Sequence, residues 1–272
     1  MKSRRHHMLK LLLIAGHGES DPGALGNGYR EAERNRAIVT AMQDCFLDAD
    51  VDLHVYDMNK NCYKQIQNGN VPNFSQYHYV CEVHLNASTN PSANGSMVYI
   101  SQSENGHSVE DRILENLYRL GFAKAWDGVV VAQRQWKNGL LVQETCRRVG
   151  ISHTLLETCF ITNEADMARL NNNIPRVAQA IADGIIDGFQ VRRKKNSVTN
   201  SVTFPPYMAK VITPALNIRS GPGINYTING IIADQGTYTI MAEAEGPGAS
   251  KWGCLKSGVG WISLDYVKKR SE

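Results

Sequence analysis

The sequence predicts an α/β domain with a mostly parallel central sheet flanked by helices, followed by a small all-β barrel. Three observations lead there. Strand-like and helix-like patterns alternate through residues 8–188. A polar segment, 189–206, carries Arg192, Arg193, Lys194 and Lys195 without an acid and closes on Pro205-Pro206. Over 207–270, short apolar runs are separated by turn residues such as Ser220-Gly221-Pro222-Gly223 and Gly246-Pro247-Gly248. Alternating strands and helices bury their apolar faces as stacked layers. The polar stretch has linker composition, and closely spaced short strands favour a barrel.

Strands are expected at Leu11–Ala15, Val51–Tyr56, Tyr77–Val83, Met97–Ser101, Val129–Ala132 and Thr154–Leu156. Helices are expected at about 30–47, 107–122 and 164–187. The last begins with Asn163 as a cap and with Glu164 and Asp166 at its positive end; Ile174, Val177, Ala178, Ile181 and Ile185 then recur at helical spacing. The N-terminus is basic and then apolar, like a signal peptide, but the apolar run is too short. It is read as a basic tail before a buried strand, and the chain is expected to be made in the cytoplasm.

Composition excludes several classes. With 42% apolar residues and a net charge of +3, the chain is not of disordered type. No apolar run reaches the roughly 18–20 residues of a membrane span. The six cysteines are scattered and read as reduced packing residues rather than a disulfide framework. Residues 1–188 carry a net −3, residues 189–206 a net +4 and residues 207–272 a net +2. The basic stretch reads as the solvated tail of the last helix. No nucleic-acid or membrane partner is expected, and nothing sets an oligomeric state. The glycines of 23–28 lack the lysine of a phosphate-binding loop.

Chemistry-bearing residues fall at strand ends, where sites form in parallel sheets. His17 follows the first strand within Gly16-His17-Gly18, His84 follows the third, and Glu157 follows the sixth. Glu31 lies seven residues before Ile38 and so shares the apolar face of the first helix, within about 20°; Glu33 points some 140° away. A carboxylate on an apolar face needs a partner. Two imidazoles and a carboxylate around Zn²⁺, with one open position, would supply it. Glu82 shares a strand face with His84 and is either placed behind the metal or satisfied elsewhere.

These motifs resemble the zinc-dependent N-acetylmuramoyl-L-alanine amidases of the amidase-3 type. The matching residues are Gly16-His17-Gly18, Glu31 with Asn35, His84-Leu85-Asn86-Ala87, and Glu157, Phe160 and Asn163 with Asp166. Ala15 stands where many relatives carry Pro, and Thr158-Cys159 replaces a commoner small residue or Gly. The resemblance implies a Zn²⁺ cofactor held by His17, Glu31 and His84, with Glu157 as catalytic acid and base. The implied substrate is bacterial cell-wall peptidoglycan, cut between N-acetylmuramic acid and L-alanine. The tail resembles bacterial SH3-type domains of wall hydrolases through Leu216-Asn217-Ile218-Arg219-Ser220-Gly221-Pro222, Trp252-Gly253, Gly260-Trp261-Ile262 and Tyr266-Val267. Trp252 and Trp261 read as core, and Tyr226 or Tyr238 as groove residues. The expected protein is a phage endolysin, with an autolysin of the same reaction, a zinc peptidase of the stem peptide or a non-catalytic wall-binding protein as alternatives.

Overall fold

A computed structural model describes residues 8–104, 106–132, 140–193, 206–224, 226 and 228–270. The chain divides into two compact units, Met1–Lys194 and Lys195–Glu272.

In the first unit, β1 (Leu9–Ala15) is followed by the two-residue strands β2 (Leu25–Gly26) and β3 (Tyr29–Arg30), then α1 (Glu31–Asp44), β4 (Val51–Val55), α2 (Cys62–Gln67), β5 (Tyr79–Asn86) and β6 (Ser96–Ser101). Next come α3 (Ser108–Arg119), β7 (Lys124–Ala132), α4 (Leu141–Arg148), β8 (Ser152–Phe160), α5 (Glu164–Asn171) and α6 (Ile174–Gly188). Six strands form one sheet in the order β4-β1-β5-β8-β6-β7. β4, β1, β5 and β8 are mutually parallel, while β6 runs antiparallel to β8 and parallel to β7.

β1 is buried on both faces, which is why it reads as a continuous apolar run. Leu11, Leu13 and Ala15 join the core beneath α1, α3 and α6. Leu12 and Ile14 join the opposite core with Cys62 and Ile66 of α2 and Val142 and Cys146 of α4. The same alternation on β5 sends Tyr79, Cys81 and Val83 to the first face and Val80 to the second. It therefore sends Glu82 and His84 to the second face as well.

The expected helix over 164–187 is two helices. Pro175 lies in the first turn of α6, where its missing N–H is harmless, whereas inside a continuous helix it would clash with the preceding turn. α2 and α4 have no counterpart among the expected elements. β5 and β8 extend further than expected, so His84 and Glu157 lie within strands rather than after them. α3 crosses α6 closely at Gly184, where a Cβ would come within 2.6 Å of the Ile113 backbone.

Most of the expected linker, 194–205, lies outside the described residues. Its first residues do not trail into solvent. Val191 packs on the main core, Arg192 Nε lies 2.8 Å from Asp50 Oδ2, and Arg193 Nη1 lies 3.1 Å from Asp48 Oδ1 with Asp183 on its other arm. Acids on the turn before β4 and on α6 draw the basic run back onto the domain.

The second unit is all β: β9 (Tyr207–Val211), β10 (Leu216–Arg219), β11 (Ile228–Ile232), β12 (Thr237–Gly246), β13 (Ala249–Leu255), β14 (Trp261–Ser263) and β15 (Val267–Lys269). They form an antiparallel sheet in the order β11-β10-β14-β13-β12-β9-β15. Among the described residues no ladder joins β11 to β15, so pairing leaves the sheet open where a closed barrel was expected. Ala209, Val211, Leu216, Ile232, Ile240, Leu255 and Ile262 form its core. Trp252 is buried, with its indole N–H donating to Gly246 O at 3.3 Å, and Trp261 is half-buried. Among the described residues no helix is long and apolar enough to cross a membrane. The six cysteines are free and five are buried.

Gly184→Ala is expected to overpack the α3–α6 crossing and to lower stability by about 1–3 kcal/mol, read as a lower urea midpoint at unchanged slope.

Candidate metal centre

β1, β5 and β8 lie side by side and parallel, so their carboxyl ends share one edge of the sheet. At that edge the ligating atoms of His17, Glu31 and His84 all lie within 4.8 Å of one another. They begin far apart along the chain: His17 in the loop after β1, Glu31 as the first residue of α1, His84 near the end of β5.

Glu31 is the centre of the cluster. One oxygen lies 3.1 Å from His17 Nε2 and accepts from Ala24 N at 2.9 Å. The other meets His84 Nδ1 at 2.9 Å and accepts from Leu85 N at 3.1 Å. The residue is 3% exposed, so the carboxylate depends on these contacts and on the positive end of α1. Burial alone would raise its pKa, but the two imidazoles outweigh burial and hold it well below the usual carboxylate range. Glu33, two residues further along α1, is exposed and lies 3.9 Å from Arg30. Glu31 therefore belongs to the buried face and Glu33 does not.

Each imidazole has a carboxylate on its other nitrogen. His17 Nδ1 lies 3.0 Å from Asp21 Oδ2, and Asp21 is itself held by Asn61 Nδ2 and Gly23 N, each at 3.0 Å. His84 Nε2 lies 3.2 Å from Glu82 Oε1, at an angle outside hydrogen-bond range. Such outer carboxylates orient ligating histidines and raise their basicity. Burial works to lower both histidine pKa values. The surrounding carboxylates prevail, leaving His17 raised and His84 raised well above its ordinary value.

The loop that presents His17 is tightly built. Gly16 is required because a Cβ there would run into the His84 ring. His17 sits at φ 63, in the left-handed region, followed by Glu19 at φ 50 and Ser20 at φ 68. Arg36 of α1 holds the turn, donating to Gly16 O at 3.1 Å, His17 O at 2.9 Å and Met58 O at 2.7 Å. Asn35 is fully buried and donates to Gly16 O at 3.3 Å.

Glu157 pairs in register with His84. Immediately beyond, β8 spends one more residue than β5 before Asn86 pairs with Phe160; bulges of this kind re-aim side chains next to sites. Asp166 anchors the bulged end by accepting from Phe160 N at 3.0 Å and from Gly95 N at 2.7 Å. Glu157 Oε2 is buried and has no hydrogen-bond partner among the described residues. Burial pushes the carboxyl up to about 7, the effect being moderated by the charges of His84 and His17.

Two imidazoles and a carboxylate, each ligand fixed from behind, can hold a divalent cation. An unpartnered carboxyl on the adjoining strand can move a proton beside it. Asp21, Arg36 and His153 were not singled out from the sequence. Asp21 and Arg36 act on a turn with no periodicity, and His153 is one of several polar residues around β8.

An α/β domain with three potential metal-ligating side chains gathered at the carboxyl edge of its sheet is the class that this fold and site define. The amidase-3 family model, described as N-acetylmuramoyl-L-alanine amidase, matches residues 11–187, and the chain belongs to that family. It is 28% identical over 269 residues to the probable autolysin PH of Staphylococcus aureus, covering 84% of this chain and 53% of that protein. It is 29% identical over 187 residues to the N-acetylmuramoyl-L-alanine amidase LytC of Bacillus subtilis, covering 66% of this chain and 35% of that one. The chain thus spans about half the length of the first and a third of the second. A solved N-acetylmuramoyl-L-alanine amidase of Nostoc punctiforme superposes with a TM-score of 0.53 at 20% identity, covering 68% of this chain and 98% of that one. At that identity the likeness is one of fold.

His17→Ala, Glu31→Ala and His84→Ala are each expected to abolish stoichiometric zinc uptake, measured by elemental analysis after dialysis. Glu33→Ala is expected to bind zinc as the unaltered chain does.

Proposed function

We propose that the chain is a zinc-dependent peptidoglycan hydrolase that cuts the amide between N-acetylmuramic acid and L-alanine. The observation that carries this is the convergence of His17, Glu31 and His84 beside the unpartnered carboxyl of Glu157, in a chain of the amidase family. The ligating atoms of His17, Glu31 and His84 lie within 4.8 Å of one another, close enough for one ion to be held by all three.

His17, Glu31 and His84 are the residues that would hold the ion. When bound, zinc polarises the scissile carbonyl and makes water a better nucleophile near neutral pH. Glu157 takes the proton from the attacking water and returns it to the departing alanine nitrogen. With no hydrogen-bond partner among the described residues, Glu157 Oε2 is available for both transfers. Asp21 holds the His17 imidazole by a hydrogen bond, and Glu82 faces the outer nitrogen of His84 as a charge partner. Beside a dication the Glu157 carboxyl ionises more readily than burial alone allows.

The second unit is read as an SH3-like wall-binding module. Ile218, Ile231, Ile232, Tyr238 and Val259 line an open groove of about 520 Å³ suited to a segment of wall polymer. Binding there would raise the effective concentration of the hydrolase at an insoluble substrate. The biological role proposed is wall lysis by an endolysin made in the cytoplasm and acting at the wall after release. The similarity to a probable autolysin of Staphylococcus aureus favours the autolysin alternative.

Mass spectrometry of fragments released from purified peptidoglycan tests the reaction. Products bearing a free L-alanine amine and a free lactyl carboxylate are expected; cleavage confined to bonds within the stem peptide refutes the amidase reading in favour of a peptidase. Glu157→Gln is expected to keep zinc and to lose about 10²- to 10⁴-fold in turnover. A chelator is expected to stop lysis by the unaltered chain and added Zn²⁺ to restore it.

A further inference from the structure

Behind His84 the structure carries a second buried imidazole that the reaction does not use. Glu82 and His153 lie on adjacent strands, β5 and β8, and face the same side of the sheet as His84. Glu82 Oε2 lies 3.1 Å from His153 Nε2, while Glu82 Oε1 lies 3.2 Å from His84 Nε2. One carboxylate therefore spans two rings. The side chains of Glu82 and His153 are 6% and 1% exposed, so water does not take over either contact. Among the described residues the ion-pair partners of Glu82 are these two imidazoles. The opposite nitrogen of His153, Nδ1, is buried and has no hydrogen-bond partner among the described residues, so Glu82 is the contact that accounts for a polar ring in this place.

We propose that His153 is a positioning residue for the metal centre, acting through Glu82 to set the orientation of His84. The inference rests on the reading of His17, Glu31 and His84 as zinc ligands. A ring nitrogen bonded to Oε2 turns the carboxylate plane so that Oε1 stays at His84 Nε2. Without that bond a buried carboxylate half-satisfied on one side has reason to rotate. His84 then loses the group that holds its ring with Nδ1 toward Glu31. Outer partners of ligating histidines are worth about 10- to 100-fold in metal affinity. Here the partner would be two residues deep, and its effect should be visible only while Glu82 is present.

The test is zinc affinity of the full chain, measured by competition with a chromophoric chelator, with thermal unfolding of each zinc-free variant as the control for folding. His153→Ala is expected to weaken zinc binding about 10- to 100-fold, and His153→Gln, which keeps an N–H donor, to recover most of that loss. If His153→Ala does not fold, His153→Leu replaces it, filling similar volume without a donor. Glu82→Gln is expected to weaken binding as well, and adding His153→Ala to it to cost little more, because both act along one line. Unchanged affinity in a folded His153 variant lacking the donor overturns the proposal. So does a double variant in which the two losses multiply. An unaltered chain that binds no zinc overturns the metal reading itself and this inference with it.

Discussion

The first unit is organised around one buried carboxylate. Glu31 gathers His17, His84 and two backbone N–H groups onto its two oxygens, and it does so from the first residue of a helix, where the backbone favours negative charge. Those contacts tie the loop after β1, the end of β5 and the start of α1 to one point. A charge this deeply buried is tolerated only while all of them persist. The sheet, the helix and the loop therefore share a requirement that no apolar core would impose.

The parallel strands turn that requirement into a working arrangement. Adjacent parallel strands deliver side chains to one edge, and strand register places Glu157 opposite His84. The bulge that follows, held by Asp166, then frees β8 from strict alternation beside the group proposed to move the proton. Two kinds of carboxyl result within a few residues of one another. Glu31 is surrounded by cations and donors and stays ionised, whereas Glu157 is half-buried, with its Oε2 atom buried and unpartnered among the described residues, and holds its proton more tightly. Environments that push like groups apart in this way separate a binding role from a proton-transfer role.

Much of this was legible because each signal is local. Gly16-His17-Gly18 and His84-Leu85-Asn86-Ala87 are contiguous, and the seven-residue step from Glu31 to Ile38 places the carboxylate on the helix face that proves buried. β1 announced itself as an unbroken apolar run. Other features leave little trace in linear order. α2 and α4 span six and eight residues, too few for a periodic pattern to stand out. Pro175 split a helix whose apolar spacing read as continuous. The direction of β6 is set by topology rather than by its residues. Arg36 and His153 act through atoms contributed by other strands and loops, as the 71-residue separation of Glu82 from His153 illustrates.

His17 shows where durability and activity part company. Its backbone occupies a left-handed conformation that costs a side-chain-bearing residue about 1–3 kcal/mol, and the Arg36 guanidinium bridging three carbonyls around it offsets that cost. Glycine at this position would relieve the backbone and delete the imidazole in the same stroke. A search for hardier variants selected on folding alone would therefore be drawn toward sacrificing this residue, and a selection scheme for this fold has to score metal retention alongside heat resistance.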